Sequence, residues 1–160
     1  TGISTGSASV SYAAVHYILN NTRHIHKKNI LLLGVGDIGQ NTIDNLVKHI
    51  YQPKIKIANR SFEKAEKIAD KYKIPQIDFN LFPEELKQTD VLIVATGAQK
   101  YIIDESNFPK DKEMLVIDLS IPNNVQKEIG ELENVKLIDV DQLSQTIKET
   151  MEQRKKEGYF

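Results

Sequence analysis

The stretch Asn29–Val47, "NILLLGVGDIGQNTIDNLV", decides how the rest of the chain reads. An apolar run from Ile30 ends in Gly34, Gly36 and Gly39, and a helical pattern follows at once. A G-x-G-x-x-G signal carries weight only between a strand and a helix, and that context is met. The glycines have separate tasks: Gly34 permits a tight turn, Gly36 lets the backbone approach a pyrophosphate, and Gly39 lets helix and strand pack closely. The helix start adds free N–H groups and a partial positive charge. Gly34, Val35, Gly36, Asp37, Ile38 and Gly39 are therefore read as a pyrophosphate cradle. A glycine-rich turn without a ligand is the competing reading.

The second strand, in "KIKIANRSFEKAEKIA" from Lys54, says which nucleotide. NAD sites usually keep an acid at its end for the ribose 2′-hydroxyl, whereas an Arg accommodates the 2′-phosphate of NADP. Here Asn59, Arg60 and Ser61 stand there. Arg60 offers a planar, permanently charged fork to phosphate oxygens, and Asn59 and Ser61 can donate to them. Glu63, the nearest acid, suits the first turn of the next helix. The reading is NADPH over NADH. The plainer alternative is that Ser61 only caps a helix and Arg60 is only solvated.

Further apolar runs follow: "VLIVATG" from Val91, "MLVIDLS" from Met114 and "VKLIDV" from Val135, with a weaker candidate strand "QIDF" from Gln76. Ile43, Leu46, Val47, Ile50 and Tyr51 form one helical stripe between runs, and Phe62, Ala65, Ile68, Ala69 and Tyr72 another. Strand–helix alternation predicts an α/β fold: a doubly wound, mainly parallel, Rossmann-like sheet with helices on both faces. Ahead of it, after the polar start "TGISTGSAS", Val10, Ala13, Ala14, Tyr17 and Ile18 predict a helix. Behind it, the narrow stripe Leu143, Ile147 and Met151 predicts a helix stub poorly held by this domain. The expected organisation is a linker helix over residues 1–24, a dinucleotide-binding domain over 25–141, and from 142–160 the start of a helix leading elsewhere.

Ligands sit beyond the carboxyl ends of strands in such sheets, so Thr96 and Gly97 should face the ribose–nicotinamide side. Asp118, before "LSIP", either orients cofactor or substrate or stabilises a turn. Asp141 is expected to cap the last helix and Asp139 to end a strand. His24 and His26 lack a third metal ligand nearby in sequence, and His16 and His49 lie on helices without evident partners. No metal site and no catalytic residue is assigned.

The chain has 160 residues, 21 basic against 22 acidic, so no net field draws in nucleic acid or an anionic membrane. No apolar run approaches the roughly 18 residues of a membrane span. There is no cysteine, which excludes disulfides and thiol nucleophiles within the chain.

"STGSASVSYAAV", "LLLGVGDIG", "ANRSFEKAEKIA", "VLIVATGA", "VIDLSIP" and "LIDVDQL" resemble, in this order, the NADPH-binding domain of the glutamyl-tRNA reductase family. The resemblance covers nearly the whole chain. It implies a domain that supplies hydride for reducing the glutamyl group of glutamyl-tRNA to glutamate-1-semialdehyde, in tetrapyrrole (porphyrin) biosynthesis. It implies a nucleophilic cysteine in a separate N-terminal domain, glutamyl-tRNA bound through domains outside this chain, a homodimer formed through a C-terminal domain, and cytoplasmic location. The downstream aminomutase is a further candidate partner. Thr1 is not an initiator Met, and the expectation is a cofactor domain excised from a longer protein, inactive alone. The family's usual "VPRD" is here Ile121-Pro122-Asn123-Asn124, so no role is carried onto Asn123 or Asn124. The rivals are the cofactor domain of a shikimate-type dehydrogenase, against which "SVSYAAV" argues, and a nucleotide-sensing module without chemistry.

Overall fold

The computed structural model describes residues 2–158. Thr1, Tyr159 and Phe160, the outer ends of the first and last expected segments, lie outside the described residues. Five strands form one parallel sheet: β1 (Asn29–Leu33), β2 (Lys54–Ala58), β3 (Val91–Val94), β4 (Met114–Asp118) and β5 (Val135–Asp139), in the order β2-β1-β3-β4-β5. The apolar runs of the sequence are these strands. Val91–Val94 is buried throughout and β1 is buried from Ile30 onward, as expected for strands covered on both faces. The edge strands β2 and β5 break the pattern with Lys54, Lys56 and Lys136, which discourages pairing with another sheet.

Side-chain alternation divides the core in two. Ile30, Leu32, Ile55, Ile57, Val91 and Ile93 point to one face, beneath α1 (Gly2–Asn21), α2 (Asp37–His49), α3 (Phe62–Tyr72) and α5 (Val140–Lys156). Leu31, Leu33, Leu92, Val94 and Val116 point to the other. That face is covered by short pieces: Phe82 in α4 (Phe82–Glu85), Leu86 in the turn after it, and Ile103, Phe108, Val125 and Ile129. Each fully buried Leu or Ile contributes about 1.5–3 kcal/mol, so both faces are needed.

Several local expectations are corrected. Helix α1, expected over residues 1–24, takes in the polar start from Gly2 and ends at Asn21. Small residues allow it to lie close on α2, and Ser11, fully buried, donates from Oγ to the Ile38 carbonyl at 3.0 Å. Gln76 makes only a single bridge to Ile57, and a 3-10 turn at Phe79–Leu81 follows where a strand was expected. Tyr51 lies beyond the C-cap of α2 and is 83% exposed, and Phe62 is 54% exposed at the start of α3, so both leave their stripes. His16 and His49 do have partners: their rings lie 5.4 Å apart, with Tyr12 stacked 4.0 Å from His16. Asp139, not Asp141, caps α5, through a capping box in which its carboxylate accepts from the Gln142 N–H while the Gln142 side chain accepts from the Asp139 N–H. Leu143 is buried in the core, so α5 is anchored at its first turns, while Ile147 and Met151 remain exposed. Among the described residues no helix is long and apolar enough to cross a membrane.

Candidate functional site

The parallel registers align the carboxyl ends of the strands. Ala58 pairs with Leu33, Leu33 with Val94, Val94 with Asp118 and Asp118 with Asp139. The loops that follow therefore share one rim of the sheet. The chain steps outward from β1 to β2 and returns across β1 to β3, so the order reverses between β1 and β3. In open α/β sheets that crevice is the ligand site. The Gly34–Gly39 loop follows β1 and the Thr96–Gly97 turn follows β3, which places both on it.

The three glycines separate by what surrounds them. Gly34 sits at φ +103°, and a Cβ there would lie 2.1 Å from the Ala95 carbonyl oxygen. A Cβ on Gly39 would lie 2.2 Å from the Gly34 carbonyl oxygen. Both are demanded by the fold. Gly36 is different: its φ of −74° suits any residue, and nothing lies within 4 Å of where its Cβ would be. Its missing side chain keeps open a space that the protein does not fill. Gly36 is also the N-cap of α2 and supplies no side-chain cap, whereas Ser61 caps α3 and Asp139 caps α5. The first N–H groups of a helix have no intrahelical partner, and those of α2 are left to whatever enters the crevice. Gln40 Nε2 donates to the Val35 carbonyl at 2.8 Å and holds the loop in shape.

Asn59, Arg60 and Ser61 come to the same rim, but with divided roles. Asn59 is a brace: its Oδ1 accepts from the Val35 N–H at 3.2 Å and its Nδ2 donates to the Ser61 carbonyl at 3.1 Å. One N–H of that amide remains. Ser61 Oγ accepts from the Lys64 N–H at 3.3 Å, leaving only its own proton to give. Arg60 is exposed and its guanidinium lies over the Phe79 ring, 5.5 Å from the centroid. Asn59, Arg60, Phe62, Asp78, Phe79 and Asn80 line an open cleft of about 680 Å³. Phe79 and Asn80 were not singled out in the sequence, because the weak "QIDF" strand was expected where the Asp78-capped turn presents them.

At the other end of the crevice, Thr96 and Gly97 are held by a buried polar cluster. Asp118 is 1% exposed and accepts from the backbone N–H groups of Ser120, Asn124 and Val125 at 2.9–3.1 Å. Burial pushes its carboxyl above the usual range, opposed by those three N–H groups. Both of its oxygens are engaged within its own turn, so it is a turn former. Asn124, fully buried, was given no role from the sequence, yet its side chain makes four hydrogen bonds. Oδ1 accepts from Thr96 Oγ1 (2.5 Å) and Ser120 Oγ (2.6 Å), and Nδ2 donates to the carbonyls of Ala98 (2.9 Å) and Lys100 (3.1 Å). The sequence signal available was a polar pair, Asn123-Asn124, directly after a Pro beyond a strand end.

The histidines stand apart from this rim. His24 and His26 face each other at 6.3 Å on the connector before β1, at the opposite, amino end of the strand. Among the described residues no group of three His, Asp or Glu side chains is placed to hold a metal ion.

A family model described as Shikimate / quinate 5-dehydrogenase matches residues 16–146, and the chain belongs to that family. A glutamyl-tRNA reductase of Christiangramia forsetii is 50% identical over 155 residues, covering 97% of this chain and 37% of the relative. The chain thus spans little more than a third of the length of that curated relative. The solved glutamyl-tRNA reductase of Methanopyrus kandleri superposes with a TM-score of 0.79 at 25% identity, covering 92% of this chain and 39% of that one. The nucleotide binding domain of the glutamyl-tRNA reductase from Thermoplasma volcanium shares the fold, with a TM-score of 0.65 at 24% identity over 93% of this chain and 96% of that one. Family and fold are those of a Rossmann-like domain of reductases and dehydrogenases, which supports a nicotinamide dinucleotide as its ligand.

Proposed function

We propose that this chain is the NADPH-binding domain of a glutamyl-tRNA reductase and presents hydride for reduction of the glutamyl group to glutamate-1-semialdehyde, on the route to tetrapyrroles. The observation that carries the reading is Gly36: a glycine that neither backbone conformation nor internal packing requires, at the uncapped start of α2. A pyrophosphate is the group whose approach such a position serves. The residues present fit a dinucleotide. Backbone N–H groups from Gly36 to Ile38 would take the pyrophosphate, with Gly34, Val35 and Gly39 shaping the cradle. Arg60, steadied on Phe79, would take the 2′-phosphate, with Asn59 and Ser61 beside it. The Thr96–Gly97 turn would border the ribose–nicotinamide end. The cofactor, when bound, supplies the hydride, and the chain's part is to bind and orient it.

The reductase reading over a shikimate-type dehydrogenase is supported by the 50% identity to a protein named glutamyl-tRNA reductase along 97% of this chain. Within this reading, residues 25–141 are the cofactor domain, the segment 1–24 that contains α1 is its linker, and the segment from residue 142, along which α5 runs on, leads toward a dimerisation domain. Glutamyl-tRNA and a second copy would be engaged by parts of the longer protein, in the cytoplasm, with the aminomutase that consumes the aldehyde as a further partner. In this reading the glutamyl group is taken by a thiol, which this chain, without cysteine, does not supply.

The test follows loss of reduced-nicotinamide absorbance. The longer protein should oxidise NADPH only when charged glutamyl-tRNA is added, and Arg60→Ala should raise its KM for NADPH. This chain alone should do nothing. Turnover of charged glutamyl-tRNA by this chain alone, or consumption of NADPH by the longer protein only with a shikimate-like substrate, would overturn the proposal.

A further inference from the structure

We infer that Asn124 is a positioning residue for the nicotinamide half of the crevice, setting the shape of the Thr96–Lys100 loop on which that half would rest. The inference builds on the dinucleotide reading above. It starts from chemistry: an amide has two acceptor lone pairs on oxygen and two N–H donors, and here all four are used. Two hydroxyls meet the oxygen and two carbonyls meet the nitrogen. Carbonyls cannot donate, so the amide has one orientation, and no other side chain of this size offers this set of donors and acceptors.

The placement matters as much as the count. Three of the four partners, Thr96, Ala98 and Lys100, belong to the segment that leaves β3 at the switch point. The Asn124 backbone carbonyl adds bonds from the N–H groups of Ile102 (2.7 Å) and Ile103 (3.1 Å), so the whole segment from Thr96 to Ile103 is stitched to one residue. Asn124 itself is fixed by its N–H to Asp118 Oδ2 at 2.9 Å. The Thr96 hydroxyl donates to Asn124 and accepts from the Ala98 N–H at 3.1 Å, so its proton is not offered to a ligand. What the loop presents to the crevice is therefore the backbone around Gly97, at φ +73° with open space beside it. Asn124 decides where that backbone stands, and it does so from full burial, out of reach of the ligand.

A purely structural role would weaken every ligand equally or none. A positioning role predicts a division between the two halves of the dinucleotide. Titrations of NADPH and of adenosine 2′,5′-bisphosphate, which carries only the adenosine half, should be made on wild type, Asn124→Ala and Asn124→Asp. Thr96→Val is the fourth protein: it removes the hydroxyl's bond to Asn124 and the Ala98 N–H bond to that hydroxyl, and leaves the other three bonds of the Asn124 amide in place. Asn124→Ala should weaken NADPH by about tenfold and leave the bisphosphate unchanged. Asn124→Asp, unable to donate to two carbonyls, should not rescue, and Thr96→Val should shift NADPH in the same direction by a smaller factor. Amide exchange of residues 96–103 should quicken in Asn124→Ala while that of β1 and β3 stays as in wild type. Equal losses for both ligands, or none for NADPH in both Asn124→Ala and Thr96→Val, would overturn the positioning role alone. A wild-type chain that binds neither ligand would sink the dinucleotide reading and this inference with it.

Discussion

Replacing each loop glycine by alanine in turn separates what the fold needs from what a ligand needs. At Gly34 a side chain must tolerate φ +103°, which costs about 1–3 kcal/mol. Its Cβ would also stand 2.1 Å from the Ala95 carbonyl oxygen and 2.8 Å from Thr96 Cα, so backbone must move by roughly 1 Å. That backbone is tied down, with the Ala95 N–H donating to the Leu33 carbonyl and the Gly34 N–H to the Ala58 carbonyl, both at 2.8 Å. Overpacking adds about 1–3 kcal/mol, so Gly34→Ala should lose about 2–6 kcal/mol. For a chain of this size that lowers Tm by roughly 4–24 °C. Gly39→Ala gains helix propensity of about 1 kcal/mol against about 1–3 kcal/mol of overpacking where its Cβ meets the Gly34 carbonyl at 2.2 Å, and should lose about 0–2 kcal/mol net. Gly36→Ala meets nothing and should stay within about 1 kcal/mol of wild type, yet it should cost NADPH affinity at least about tenfold. Urea unfolding and NADPH titration on the three variants give both numbers. A Gly36→Ala variant as unstable as Gly34→Ala, or one that binds NADPH as well as wild type, would refute the reasoning.

Three further outcomes are expected. Burial pushes the Asp90 carboxyl up, but the Asn29 N–H at 2.8 Å, the Lys112 ammonium at 3.0 Å and the charge of Lys28 together hold it below the usual range. Its contribution is thus present above the unfolded-state pKa and lost as pH falls through the lower folded value, so Asp90→Asn should flatten the acid limb of stability below about pH 4; urea midpoints across pH that fall as steeply as in wild type would contradict this. Asp139→Ala should cost about 1 kcal/mol by removing the capping box, while Asp141→Ala should stay within about 0.5 kcal/mol, and the reverse order of urea midpoints would return the cap to Asp141. In α5 the stripe passes from Leu143 at 3% exposure to Ile147 at 42% and Met151 at 54%, so amide-exchange protection should fade beyond Ile147 in a dilute monomer, and strong protection through Lys156 would contradict it.

What the sequence disclosed, it disclosed through period and punctuation. The strands β1 to β5 were legible because a parallel strand covered on both faces is a continuous apolar run, and the β1–α2 turn because Gly34 and Gly39 have no substitutes at their backbone positions. Asn59 and Ser61 were expected at the carboxyl end of β2, where the structure has them, but their division of labour was not legible, since Asn59's bond to Val35 depends on the register between β1 and β2. Phe79 was hidden because its place under Arg60 depends on a 3-10 turn rather than on any repeating pattern. Asn124 was hidden for the same reason in stronger form: its partners lie up to 28 residues away, and a buried asparagine looks like any loop asparagine until its neighbours are known. Asp139 lost its cap to Asp141 in the sequence because a single residue can end a strand and cap a helix at once.

The central claim, that the rim between β1 and β3 holds NADPH, is met most directly by titrating NADPH and NADH into the wild-type chain and into Arg60→Ala at fixed moderate salt. A charge-assisted contact to the 2′-phosphate contributes about 1.5–3 kcal/mol, on the order of tenfold to a hundredfold in affinity. Wild type should therefore prefer NADPH by that factor, and Arg60→Ala should lose most of the preference while binding NADH as before. Equal affinity of wild type for the two dinucleotides, or equal losses for both in Arg60→Ala, would contradict it.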